Sequence, residues 1–85
     1  MKSFTYTIRD EVGIHARPAG LLVNAAKATG SRITIEKDGK IADACKLFSL
    51  MSLGVKCGDT VKVSIEDGDE DASLSAMREF FEKNL

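Results

Sequence analysis

At 85 residues and 9.2 kDa the chain holds one domain and has no room for a second core. Its 44% apolar and 29% charged residues describe a globular chain, and 12 Lys and Arg against 13 Asp and Glu exclude the global basic field that drives nucleic-acid binding. The apolar runs are too short to span a bilayer, and a deep-pocketed enzyme is not expected at this size, so a surface site working with larger partners is the leading expectation.

Phe4, Tyr6 and Ile8 alternate with Thr5 and Thr7, the pattern of a strand with one buried face. The same opening stretch lacks the unbroken apolar core of a secretory signal, which makes the cytoplasm the expected location. Residues 16–28 have helical spacing, with Ala19, Leu22, Val23 and Ala26 on one stripe and Gly30 as the stop. Ile33 and Ile35, set between Arg32, Thr34 and Glu36, make a second strand. Asp38-Gly39 predicts a type I′ hairpin turn, because both central residues of that turn need positive φ, and Lys40 to Ala44 is the return strand. Lys46 to Leu53 reads as a short helix ended by Gly54. Val61, Val63 and Ile65 alternate with Lys62, Ser64 and Glu66 as a fourth strand. Residues 70–84 carry Leu74, Met77 and Phe81 at helical spacing, continued by Leu85 just past the end, and the acidic run Glu66 to Asp71 supplies capping and dipole complementarity at the helix start. The order is β-α-β-β-α-β-α, an α+β chain. Its economical packing is one antiparallel sheet with helices over one face and water on the other.

Charge is uneven along this order. Residues 1–58 hold nine basic and five acidic groups, and residues 59–85 hold three and eight. The positive part contains His15, the only histidine. Cys45 and Cys57 are too few for a disulfide framework, lack C-x-x-C spacing and are expected as reduced thiols. A metal site from His15, Cys45 and Cys57 lacks the paired spacing of zinc ligands, so neither a metal nor a cofactor is expected.

The densest local signal is Gly13-Ile14-His15-Ala16-Arg17-Pro18-Ala19-Gly20. Gly13 permits a tight turn, and His15 falls at the N-cap of the first long helix. Pro18 stands in the first turn, where its missing N–H breaks no helical bond. The free N–H groups of Ala16 and Arg17 then form an anion cradle at a helix start, and the Arg17 guanidinium can pair with two phosphate oxygens. A positive setting favours neutral imidazole, the form with a free lone pair. No adjacent Ser, Cys or Asp suggests a catalytic triad.

Gly13 to Ala19 closely resembles the active-site motif of the HPr family, the histidine-containing phosphocarriers of the bacterial phosphoenolpyruvate:sugar phosphotransferase system. Chain length, element order, the Asp38-Gly39 hairpin and the run Lys46-Leu47-Phe48-Ser49-Leu50-Met51-Ser52-Leu53-Gly54 fit the same family, so the resemblance covers nearly the whole chain as one domain, residues 1–85. It implies an open-faced β-sandwich, a four-stranded antiparallel sheet with three helices on one face. His15 would accept a phosphoryl group on Nδ1 from phospho-enzyme I and pass it to the EIIA components of sugar permeases. Arg17 would contact that group, with the Ala16 and Arg17 amides helping to hold it.

Gly20, Leu21, Lys46, Leu47, Phe48 and Met51 would form the partner surface, while Leu50 and Leu53 read as core. The chain would be a monomer and an intermediate of phosphotransfer with no turnover alone, inserted in no membrane. One position departs from the family. Where many relatives carry a regulatory serine at the start of the short helix, this chain has Lys46, and its nearest serines are Ser49 and Ser52. A regulatory binding module, or a carrier of the nitrogen-related branch, is the alternative on the same fold.

Overall fold

The structure, a computed structural model, describes residues 1–14 and 16–85. Chain order is β1 (Lys2–Thr7), α1 (Ala16–Thr29), β2 (Arg32–Lys37), β3 (Lys40–Asp43), α2 (Leu47–Ser52), β4 (Thr60–Glu66) and α3 (Glu70–Asn84). The four strands form one antiparallel-paired sheet in the order β1-β4-β2-β3. β4 lies between β1 and β2, pairing Phe4 with Val63 on one side and Ile35 with Val63 on the other. Alternation decides the faces. Phe4, Ile33, Ile35, Val61, Val63 and Ile65 point into the core, while Arg32, Thr34, Lys62 and Ser64 line the open face.

The helices cover the apolar face with Ala19, Leu22 and Ala26 from α1, Leu50 from α2, and Met77 and Phe81 from α3. Phe81 is the largest of the fully buried side chains. Phe4 and Tyr6 of β1 and Phe80 meet its ring edge-on, with centroids 5.8, 5.5 and 6.2 Å away. Val23 and Leu74 pack against the core on their expected stripes but stay half-buried, and Ser73 goes inside as well. It does so because its hydroxyl shares a 2.6 Å hydrogen bond with Ser31, whose own hydroxyl also reaches the Asp67 carbonyl at 2.7 Å.

The element ends follow their local chemistry. Asp38 (φ 50°) and Gly39 (φ 82°) make the β2–β3 turn with both central residues left-handed, as a type I′ turn demands. Asp69 caps α3, its carboxylate accepting from the Ala72 N–H at 3.1 Å, and Glu70 and Asp71 fill the first turn, so the acidic run serves the helix start. α2 is a residue shorter at each end than its sequence suggested, because Lys46 and Leu53 are its caps. Likewise β3 stops at Asp43, whose carboxylate accepts from the Cys45 N–H at 2.8 Å and turns the chain toward α2.

Candidate functional site

α1 begins at Ala16, so the Gly13–Gly20 motif straddles a loop and a helix start, as its residues suggested. His15 itself lies outside the described residues. Gly13 has φ +81°, and a Cβ there would sit 2.3 Å from the Val55 carbonyl oxygen. Only glycine allows the loop to press this closely on the turn ahead of β4. Ile14 is buried, and its N–H donates to the same carbonyl at 3.1 Å. Two consecutive residues thus fix the path of the loop as far as Ile14. Asp10 tightens the loop from the other side, its carboxylate accepting from the N–H groups of Val12 and Gly13 at 2.9 and 3.2 Å.

Past residue 15 the helix sorts its side chains. Ala16 and Arg17 are exposed, Pro18 and Ala19 are buried, Gly20 is half-buried and Leu21 is exposed. Arg17 makes no ion pair among the described residues. It lines a shallow cleft of about 210 Å³ with Pro18 and Leu21 from α1, Asp10 from the loop, and Lys83 and Asn84 from the end of α3. Sequence reasoning missed the α3 side of this cleft. Lys83 is far from Arg17 in the chain, and its partner is local, Glu79 one helical turn back at 2.7 Å. That pairing raises the Lys83 pKa and lowers that of Glu79.

α1 and α2 pack against each other. α2 buries Leu50 completely and, just beyond its end, Leu53, but it leaves Leu47 and Met51 exposed and Phe48 82% exposed. Phe48 is a large aromatic ring in water on a two-turn helix, beside two more exposed apolar side chains. Lys46, exposed at the N-cap, makes no side-chain cap. The site residues named from sequence that the structure describes thus fall on two packed helices, Ala16, Arg17, Gly20 and Leu21 on α1 and Leu47, Phe48 and Met51 on α2, with Lys46 at the α2 N-cap.

Cys45 and Cys57 are both free thiols. Partial burial, aided by the Asp43 carboxylate and opposed by Lys27, pushes the Cys45 thiol above its ordinary pKa, which keeps it protonated and a poor metal ligand at neutral pH. No cluster of three metal-ligating groups occurs among the described residues. No helix among them is long and apolar enough to cross a membrane.

Comparison with known proteins identifies a family and a fold over nearly the whole chain. The family model described as the PTS HPr component phosphorylation site matches residues 2–83. The phosphocarrier protein HPr of Mycoplasma genitalium is 35% identical over 85 residues, 99% of this chain and 97% of that protein. The HPr-like protein Crh of Halalkalibacterium halodurans is 40% identical over 76 residues, 89% of this chain and 90% of that protein. Among solved structures, HPr from Thermoanaerobacter tengcongensis superposes with a TM-score of 0.92 at 41% identity, covering 98% of this chain and 93% of that one. An HPr dimer from the same organism matches at a TM-score of 0.76, covering 98% and 95%. In sequence, in the order of its elements and in its open-faced sheet, the chain belongs to the HPr family of phosphotransferase-system components.

Proposed function

We propose that this chain carries a phosphoryl group on His15, received from phospho-enzyme I and delivered to EIIA components of sugar permeases. The observation that carries the reading is the placement of Arg17. It is an exposed guanidinium in the first turn of α1, two residues past the motif histidine, with no ion pair among the described residues. In the transfer, the Nδ1 lone pair of neutral His15 attacks phosphorus. The Nδ1–P bond forms as the bond from phosphorus to the donor breaks, and the donor keeps that electron pair. Arg17 and the N–H groups at the start of α1 balance the charge on the three phosphoryl oxygens. Passing the group on repeats the exchange with His15 as the leaving group. The chain returns unchanged and has no turnover of its own.

Partner docking rests on Leu21, Leu47, Phe48 and Met51, with Gly20 allowing close approach and Arg17 and Lys46 at the rim. The chain works as a monomer in the cytoplasm, with no cofactor. Incubation with enzyme I and radiolabelled phosphoenolpyruvate tests the reading. An acid-labile, base-stable label is expected on the wild type and none on His15→Ala. A normally labelled His15→Ala overturns the site, and an unlabelled wild type overturns the carrier.

The similarity to Crh favours one second reading, a regulatory binding module that uses the α1–α2 surface without chemistry. It predicts an unlabelled wild type that still binds a protein partner through Phe48.

A further inference from the structure

Two loops meet where the chain enters α1. Residues 8–14 lead out of β1, and residues 53–59 lead from α2 into β4. Backbone bonds stitch them together. The Ile8 N–H donates to the Asp59 carbonyl at 2.9 Å, the Gly58 N–H to the Ile8 carbonyl at 2.8 Å, and the Ile14 N–H to the Val55 carbonyl at 3.1 Å. Gly13 leans on the same Val55 carbonyl. Wherever the second loop sits, the residues just ahead of His15 must follow.

One side chain from elsewhere in the fold ties that second loop at both ends. Lys37, the last residue of β2, donates from Nζ to the Gly54 carbonyl at 2.9 Å and pairs with the Asp59 carboxylate at 3.0 Å. The same carboxylate accepts the Lys56 N–H at 2.8 Å, closing the turn between. The Lys37 side chain is only 17% exposed, low for a lysine. The Lys56 N–H first, and Lys37 second, hold the Asp59 carboxyl below its ordinary pKa. Neither residue belongs to the exposed apolar set on α1 and α2.

Building on the carrier reading above, we propose that Lys37 and Asp59 are positioning residues for phosphoryl transfer at His15. They clamp the 54–59 loop so that the Val55 carbonyl holds Gly13 and Ile14 in the path that presents residue 15. Because they act on placement and not on docking, their loss is felt after the partner has bound.

Two measurements on Lys37→Met test this, with Lys37→Arg as the conservative control and Asp59→Asn as the variant from the other side of the pair. The first is amide hydrogen exchange, which needs no partner protein. The Ile14 amide should exchange about tenfold faster in Lys37→Met, while Val63 in the middle strand stays protected. The second is steady-state transfer from phospho-enzyme I. The turnover number should fall about five- to tenfold, with KM within about twofold of wild type, and Lys37→Arg should recover most of it. Asp59→Asn should move both readouts in the same direction by less, since an acceptor oxygen remains. Unchanged Ile14 exchange overturns the clamp. A loss confined to KM, or an unchanged turnover number, overturns its role in transfer. A wild type that enzyme I leaves unlabelled overturns the carrier reading instead, and the exchange experiment tells the two failures apart.

Discussion

Arg17 and Lys46 show how far a single side chain's setting decides its role. Arg17 is exposed and makes no ion pair among the described residues, so folding gains little from its charge. Arg17→Ala should change stability by only about 0.5 kcal/mol, as at other surface sites. A charge-assisted hydrogen bond is worth roughly 1.5–3 kcal/mol, so phosphoryl transfer should slow by about tenfold or more. Denaturant titration alongside rapid-quench transfer measures both, and a strongly destabilised variant with intact transfer would make Arg17 structural. Lys46 has no hydroxyl and cannot form a phosphate ester, and its charge opposes that of a phosphoserine, about −1.5 to −2 at neutral pH. Nearby, the Ser52 hydroxyl already donates to the Ser49 carbonyl at 2.8 Å, and Ser49 is half-buried. Incubation with HPr kinase and ATP should therefore leave the intact mass unchanged. A stoichiometric phosphate on Ser49 or Ser52 that blocks transfer would refute this. Both expectations rest on local facts that a sequence displays, a motif and a missing hydroxyl. The grip of Val55 on Gly13 was not legible there, since it joins residues from two loops far apart in the chain.

α2 is the element where pattern ran out. Leu47, Phe48, Leu50, Met51 and Leu53 put apolar groups on every side of a two-turn helix, too short for a 3.6-residue period to select a face. Packing selects it: Leu50 and Leu53 go under the sheet's cover, and the other three stay outside. The longer helices and the alternating strands carried enough repeats to be read directly; Tyr6, Val23 and Leu74 pack against the core half-buried, and the burial of Ser73 carried no pattern to announce it. An 82% exposed Phe48 contributes little to folding, which leaves its ring free for the docking role proposed above. Phe48→Ala should leave the melting temperature within about 2 °C. It should also weaken enzyme I binding by at least about 1 kcal/mol, read by calorimetry. Full affinity in the variant would remove α2 from the docking surface.

Across the whole molecule, the sheet order β1-β4-β2-β3 gathers what the chain order separates. It brings the start of α1 beside the end of α3, and the end of β2 beside the loop that enters β4. Alternation gave the strands and their buried faces. It gave neither the Lys37–Asp59 pair nor the Ser31–Ser73 bond, because each joins polar residues whose partners no periodicity marks. Charge is the property that works at this largest scale. Exposed cations sit at the start and end of α1 and at the head of α2, as Arg17, Lys27 and Lys46, whereas acidic groups concentrate in residues 59–85. Exposed rim cations of this kind steer the approach to an acidic partner, and they are the charges that feel the salt. Raising ionic strength to about 0.15 M shortens the screening length to about 8 Å. Association with enzyme I should then slow several-fold, while dissociation, governed by the apolar centre, changes by less than about twofold. Stopped-flow binding across a salt series measures both rates, and the double variant Lys27→Gln, Lys46→Gln should flatten the association slope without changing dissociation. Salt acting mainly on dissociation would contradict the picture. So would enzyme I-induced NMR shifts confined to Arg32, Thr34, Lys62 and Ser64, which would place the partner on the open face of the sheet, away from the α1–α2 surface.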